Sequence, residues 1–324
     1  MRAVLCREFG PEENLKVEEV PAPELKPGCV RVRVRAAGVN FPDILCVRGL
    51  YQFKPPLPFA PGGEGAGEVV EVADDVSGIR VGDRVLFTVL AGAFAEEVVV
   101  PAAKVVRIPD SMSFDVAAGF AIVYGTSYYA LKQRAGLKAG ETLLVLGAAG
   151  GVGLAAVELG RAMGAKVIAA ASSADKLAMA AEHGAQDGIN YAEEDLKARA
   201  RELTGGRGVD VIYDPVGGDF TEPAFRAIAW EGRHLVIGFA GGRIPKLPLN
   251  LPLLKGASVV GVFWGAWAER RPDEHAENMR ELFALYEQGR IRPHVDARFP
   301  LERFLDAFAA IRDRRVKGKV VLVP

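Results

Sequence analysis

The period of the apolar positions changes along this chain. Over the first 120 residues it is two: Val30-Arg-Val-Arg-Val-Arg35 alternates apolar and charged side chains, as a half-buried strand does. Apolar runs follow at Gly67–Ala73, Arg84–Val89 and Ala95–Val100. They are punctuated by Pro61-Gly62-Gly63, Ser77-Gly78 and Gly82-Asp83, which are turn chemistry. Short strands between Gly/Pro turns predict a compact, barrel-like β module.

From Asp115 onward the pattern differs. Val116 to Ala135 is apolar and rich in Ala and Tyr, as a helical hinge region is. Strand candidates then alternate with helical stretches. The strands are Thr142–Leu146, Lys166–Ala171, Asp187–Asn190, Val209–Tyr213, His234–Phe239 and Ser258–Phe263; the helices include Asp175–His183, Glu194–Leu203 and Thr221–Trp230. Six strands alternating with helices predict a parallel, doubly wound sheet. After Gly265 the pattern breaks again, into amphipathic helices over Glu274–Glu287 and Leu301–Arg312 and a last strand at Lys319–Val323. The fold class expected is α/β and discontinuous, with residues 1–120 and 265–324 forming an outer β domain around a nucleotide domain at 121–264.

The chemistry concentrates at residues 142–176. The apolar run Thr142–Leu146 meets the glycine-rich turn Gly147–Gly153. A helical pattern follows, with Val152, Ala155, Ala156, Leu159 and Met163 on one face, and then a second apolar run. Strand, tight turn, helix, strand is the unit that lays a dinucleotide pyrophosphate against a helix N-terminus. The G-x-G-x-x-G fingerprint is incomplete: its first position is Ala148, with Gly150 and Gly153 as the others. NAD-type sites carry an Asp or Glu about 20 residues past the glycines. Here that place holds Ser172 and Ser173, with Lys176 one turn later. Hydroxyls and a cation suit a ribose 2′-phosphate, so NADPH is the expected cofactor. Asp175 is close enough to serve an NAD ribose instead if it points inward.

Composition narrows the rest. A chain of 324 residues with formal net charge −1 suits two domains, and its scattered charges give no support to nucleic-acid or anionic-membrane partners. The charged N-terminus lacks a signal-peptide core, and the longest uncharged stretches, Val116–Leu131 and Thr142–Val157, are too short to span a bilayer. Three cysteines, Cys6, Cys29 and Cys46, lack metal-type spacing and fit a reducing cytoplasm.

Several segments, in order along nearly the whole chain, give it a family likeness. They are Ala36-Ala-Gly-Val-Asn-Phe-Pro-Asp43, Pro61-Gly-Gly-Glu-Gly-Ala-Gly67, Val81-Gly-Asp-Arg-Val85, Gly125-Thr-Ser-Tyr-Tyr-Ala130, the Ala148–Gly153 loop, Asp214-Pro-Val-Gly-Gly218 and Lys317-Gly-Lys-Val-Val-Leu322. Together they resemble the medium-chain dehydrogenase/reductase superfamily, in its zinc-independent quinone oxidoreductase (zeta-crystallin-like) branch. The resemblance implies a GroES-like β-barrel domain, a Rossmann domain and a cleft between them for nicotinamide and substrate. It implies NADPH contacts at Asn40, Thr126, Gly150, Gly151, Val152, Lys176, Tyr191 and Arg314, to which Ser172, Ser173, Phe239 and Phe263 are added at the strand ends. No metal is expected. Zinc-dependent members carry a cysteine in the segment here read Asn40–Asp43 and a His-Glu pair where this chain has Gly63-Glu64. No cysteine falls near residues 90–100, where a structural-zinc lobe would lie.

Without a metal to polarise an alcohol, the expected reaction is direct hydride transfer from NADPH to an electron-poor conjugated acceptor, a quinone or an enone, with quinones as the leading expectation. Asn40 and Tyr51 are the first candidate polar groups near the chemistry, with Asp43 a further one. An enoyl reductase acting on α,β-unsaturated carbonyls or acyl thioesters is the neighbouring reading, and an NADPH-binding structural or regulatory protein the reading from another class. Ser258–Trp264 would be the edge strand of the sheet, an apolar edge that is a liability unless paired; the resemblance implies pairing of this edge across a two-fold axis, and so a homodimer.

Overall fold

The computed structural model describes residues 1–324, which fall into two compact units: Met1–Ile122 with Pro293–Pro324, and Val123–Arg292. The first unit opens with an antiparallel pair, β1 (Arg2–Leu5) and β2 (Lys16–Glu19). Then come β3 (Cys29–Val39), α1 (Phe41–Val47), β4 (Glu64–Val72), β5 (Arg84–Thr88), β6 (Glu97–Pro101), β7 (Val105–Arg107) and α2 (Phe114–Ala118). β3 is the spine, paired antiparallel with β4 and with β6. Val30, Val32 and Val34 are buried while Arg33 and Arg35 are exposed, so the sequence alternation reports the two faces of this strand. Alternation stops at Ala36, beyond which every residue to Asn40 is buried. There the strand is covered on both faces.

The second unit begins within α3 (Ala121–Tyr129), which runs into a π-helical turn at Ala130–Arg134. It continues with β8 (Thr142–Leu146), α4 (Gly151–Ala162), β9 (Lys166–Ala171), α5 (Ala174–Glu182), β10 (Asp187–Asn190), α6 (Leu196–Leu203), β11 (Val209–Asp214), α7 (Thr221–Arg226), β12 (Ile228–Val236), α8 (Asn250–Lys255) and β13 (Ser258–Gly261). The six strands form one all-parallel sheet in the order β10-β9-β8-β11-β12-β13. Chain order reverses between β8 and β11, the switch point outside which doubly wound sheets bind ligands.

Two expectations are corrected here. The helix expected over Thr221–Trp230 stops at Arg226, and Ile228–Trp230 opens β12. Between the pairings Val209↔Ile228 and Val211↔Arg233 the register shifts, and Glu231 takes a left-handed φ of 58°. The bulge splits the strand, which hides its first half from a periodicity reading. The outer unit also resumes later than residue 265. α9 (Trp264–Arg270) and α10 (Pro272–Glu287) stay with the nucleotide unit, because Gln133 Nε2 donates to Asn278 Oδ1 (2.9 Å) and the Tyr128 hydroxyl to Glu281 Oε2 (2.6 Å). The chain returns at Pro293 with β14 (Val295–Pro300), α11 (Phe304–Arg312) and β15 (Lys319–Val323). β15 pairs antiparallel with the covered end of β3, Val320 opposite Val39. The completed sheet has the order β14-β15-β3-β4-β5-β7, with β6 also on β3.

Candidate active site and cofactor site

In the second unit, β8 ends at Leu146 and the chain turns through Gly147, whose φ of +59° is the conformation that favours glycine. This explains the imperfect fingerprint: the left-handed residue of the turn is Gly147, so Ala148 at the first fingerprint position costs nothing. Gly150 is the N-cap of α4 and no side chain caps that helix, which leaves its first-turn N–H groups for a ligand. Gly153 is required by packing, since a Cβ there would lie 2.2 Å from the Gly147 carbonyl oxygen. A tight turn of glycines and alanines, opening an uncapped helix at the switch point, fits a dinucleotide pyrophosphate.

The ends of β9 and β10 are adjacent, with Asn190 opposite Ala171 and the Tyr191 N–H donating to the Ala171 carbonyl (3.1 Å). Ser172, Ser173, Lys176 and Tyr191 are thereby brought to one place. Lys176 Nζ donates to Ser172 Oγ at 3.3 Å, Ser173 donates to Asp175, and Tyr191 packs on Phe220 with ring centroids 4.3 Å apart. A cation and a hydroxyl at the start of α5 suit a phosphate dianion. Thr126 is half-buried on α3 and Phe263 half-exposed ahead of α9; Phe239, just past β12, lies so close to Gly217 that a Cβ there would sit 2.8 Å from its ring.

In the first unit, Asn40 is the N-cap of α1 at the end of β3, and its side chain is already committed. Its Oδ1 accepts from Lys319 Nζ (2.7 Å), and its Nδ2 donates to Glu64 Oε1 (2.9 Å). Lys319 also donates to Glu64 Oε1 (2.9 Å) and to the Val39 carbonyl (3.0 Å), while Glu64 Oε2 accepts from the Ile122 N–H (2.9 Å). All three side chains are buried. Gly38 makes room for them: a Cβ there would lie 2.3 Å from the Ala118 carbonyl and 2.7 Å from Glu64 Oε1. Asp43 adds a second carboxylate, accepting from the N–H groups of Asn40 (2.8 Å) and Gly63 (3.1 Å). Burial is the main reason its pKa is pushed up to about 7, with nearby Glu64 adding to the rise and Asn40, Lys319 and Gly63 opposing it. Tyr51 is half-buried with its ring edge-on to Phe53, and its hydroxyl is made harder to ionise by burial and by the Asp43 charge. Arg314 lies in the turn after α11 with a left-handed φ of 56°.

Sequence reasoning passed over Glu64 and Lys319, although both stand inside segments it quoted. It also missed Asp214, the last residue of β11. Asp214 gathers the N–H groups of Val216 (2.9 Å) and Gly217 (2.8 Å), the Thr221 hydroxyl (2.7 Å) and His234 Nε2 (3.1 Å). Burial alone would raise its pKa, but the bonds from His234, Gly217 and Thr221 outweigh it and hold the carboxyl below its ordinary value. The signal available was an aspartate directly before Pro-Val-Gly-Gly at a strand end. No group of three or more His, Cys, Asp or Glu side chains is placed to hold a metal ion.

A parallel sheet wound 3-2-1-4-5-6 with a glycine turn at its switch point, inserted into a β unit closed by the C-terminal strand, defines a dinucleotide-dependent dehydrogenase or reductase. The comparisons agree. Residues 26–110 match the family model described as alcohol dehydrogenase GroES-like domain, and residues 151–284 the one described as zinc-binding dehydrogenase. The chain is 43% identical over 325 residues to quinone oxidoreductase-like protein 2 homolog of Nematostella vectensis, covering 99% of this chain and 88% of that protein. It is 37% identical over 318 residues to quinone oxidoreductase of Pseudomonas aeruginosa, covering 98% and 97%. The crystal structure of Escherichia coli quinone oxidoreductase complexed with NADPH superimposes with a TM-score of 0.94 at 32% identity, covering 100% of both chains. The chain belongs to the medium-chain dehydrogenase/reductase superfamily, among its quinone oxidoreductase-like enzymes.

Proposed function

We propose that this oxidoreductase reduces quinones with NADPH by direct hydride transfer, without a metal. The observation that carries the metal-free reading is the Lys319 ammonium held between Asn40 and Glu64. Zinc-dependent relatives use these same segments for ligands; here a fixed cation already neutralises the Glu64 carboxylate, and its charge opposes a second cation beside it. NADPH is supported by the glycine- and alanine-lined turn at Gly147–Gly153 that opens the uncapped α4, and by the Ser172, Lys176 and Tyr191 cluster, which offers a cation and hydroxyl to a 2′-phosphate. When bound, NADPH supplies the hydride that an electron-poor double bond accepts. The chain's part is to hold and orient: Gly150, Gly151 and Val152 would hold the pyrophosphate, Asn40 is fixed by Lys319, and Tyr51 offers a protonated hydroxyl. The exposed edge strand β13, with Val259 49% exposed, together with Leu253 of α8, 78% exposed, is the surface for a second copy of the chain. Three free thiols fit a reducing, cytoplasmic setting.

The test is oxidation of NADPH and NADH measured against benzoquinones, naphthoquinones, enones and acyl thioesters. Quinones as the preferred acceptors support the reading. Preference for enones or thioesters assigns an enoyl reductase instead, and turnover that stops on adding a chelator overturns the metal-free mechanism.

A further inference from the structure

The turn that opens α4 is held from behind by two buried hydroxyls. Ser127 Oγ lies 3.0 Å from the Val152 carbonyl oxygen and 2.8 Å from the Tyr213 hydroxyl. Both side chains are wholly buried, Ser127 on α3 and Tyr213 on β11. A serine hydroxyl has one proton and a carbonyl can only accept. The Ser127 proton therefore goes to Val152, and Tyr213 donates to Ser127. Burial raises the Tyr213 pKa, which keeps its proton in place at any working pH. Val152 stands in the first turn of α4, where a helical carbonyl already accepts the amide four residues on. The bond from Ser127 is thus additional to what the backbone needs. The adjacent Gly125 packs so closely that a Cβ would lie 2.8 Å from the Trp264 ring, so α3 has little freedom to shift.

We propose that Ser127 and Tyr213 are positioning residues for the cofactor turn: they fix the depth and rotation of the first turn of α4, and with it the Val152 side chain and the Gly151–Gly153 amides. The inference rests on NADPH occupying that turn. Ser127 is the member that acts on α4, and Tyr213 orients it.

Three variants separate positioning from ordinary packing: Ser127→Ala, Tyr213→Phe, and the two combined. Ser127→Ala strands the Tyr213 hydroxyl in the core and lowers Tm; the double variant removes the stranded group and recovers most of that loss. NADPH binding, titrated by fluorescence without acceptor, weakens about 3- to 10-fold in Ser127→Ala, the equivalent of one hydrogen bond, and stays weakened in the double variant. Amide hydrogen exchange at residues 151–154 is faster in both. Tyr213→Phe leaves the Ser127 bond to Val152 and changes binding least. Recovery of binding and exchange together with Tm in the double variant overturns the positioning role. Failure of the wild-type protein to bind NADPH overturns the cofactor reading and this inference with it, whereas wild-type binding that no variant alters overturns this inference alone.

Discussion

Asp43 shows how burial sets the behaviour of one group. Its upward shift means that the folded protein holds the proton more tightly than the unfolded chain does. Stabilisation from this group is complete below its ordinary value of 3.8 and is lost as pH rises through about 7. Tm should fall between about pH 4 and pH 7, and fall less in Asp43→Asn, which has no charge to desolvate. Equal slopes in scanning calorimetry would remove Asp43 as the cause. Lys176 is the counterpart at the proposed cofactor site. In Lys176→Glu a carboxylate replaces the cation beside Ser172, and the KM for NADPH should rise about 10-fold or more with little change for NADH. Equal effects on the two cofactors in steady-state kinetics would dismiss the 2′-phosphate assignment.

Among the elements, α4 shows packing overruling propensity. Alanine in place of a mid-helix glycine normally gains about 1 kcal/mol. At Gly153 the new Cβ would meet the Gly147 carbonyl at 2.2 Å, backbone against backbone, which neither element can relieve by a rotamer change. Gly153→Ala should therefore lower Tm and abolish NADPH binding, as read by calorimetry and fluorescence titration; a more stable variant that still binds would show that the turn yields. The boundaries of β8 and β9 are those that the apolar runs predict, because both are buried strands with glycine or helical stretches at their ends; β10, half-buried, also has the bounds expected of it. β12 was half legible, since the bulge at Glu231 interrupts its period.

For the whole molecule, the edge of the parallel sheet is the exposed feature with the clearest consequence. β13 pairs only with β12, and Leu249, Leu253, Leu254 and Trp230 are all more than two-thirds exposed nearby in sequence or on the neighbouring strand. No helix is long and apolar enough to cross a membrane. Placing charges on that surface with Val259→Lys and Leu253→Glu should convert a dimer to a monomer in sedimentation at micromolar concentration, with the NADPH turn left intact. A wild-type protein that already sediments as a monomer would reject the assembly.

Amino-acid order by itself determined the strand–turn–helix over 142–162, the half-buried alternation of β3 and the placing of Lys176 beside two serines. These depend on periodicity, turn chemistry and neighbours within a few residues, which a linear chain displays directly. Only the assembled molecule decided that Lys319 would neutralise Glu64 and lock Asn40, partners 255 and 279 residues away. It alone decided that α9 and α10 remain with the nucleotide unit, and that Ser127 rather than its neighbour Thr126 faces the core. Desolvation and pairing of a charge arise from whatever surrounds it after folding, and that neighbourhood is drawn from any distance along the chain.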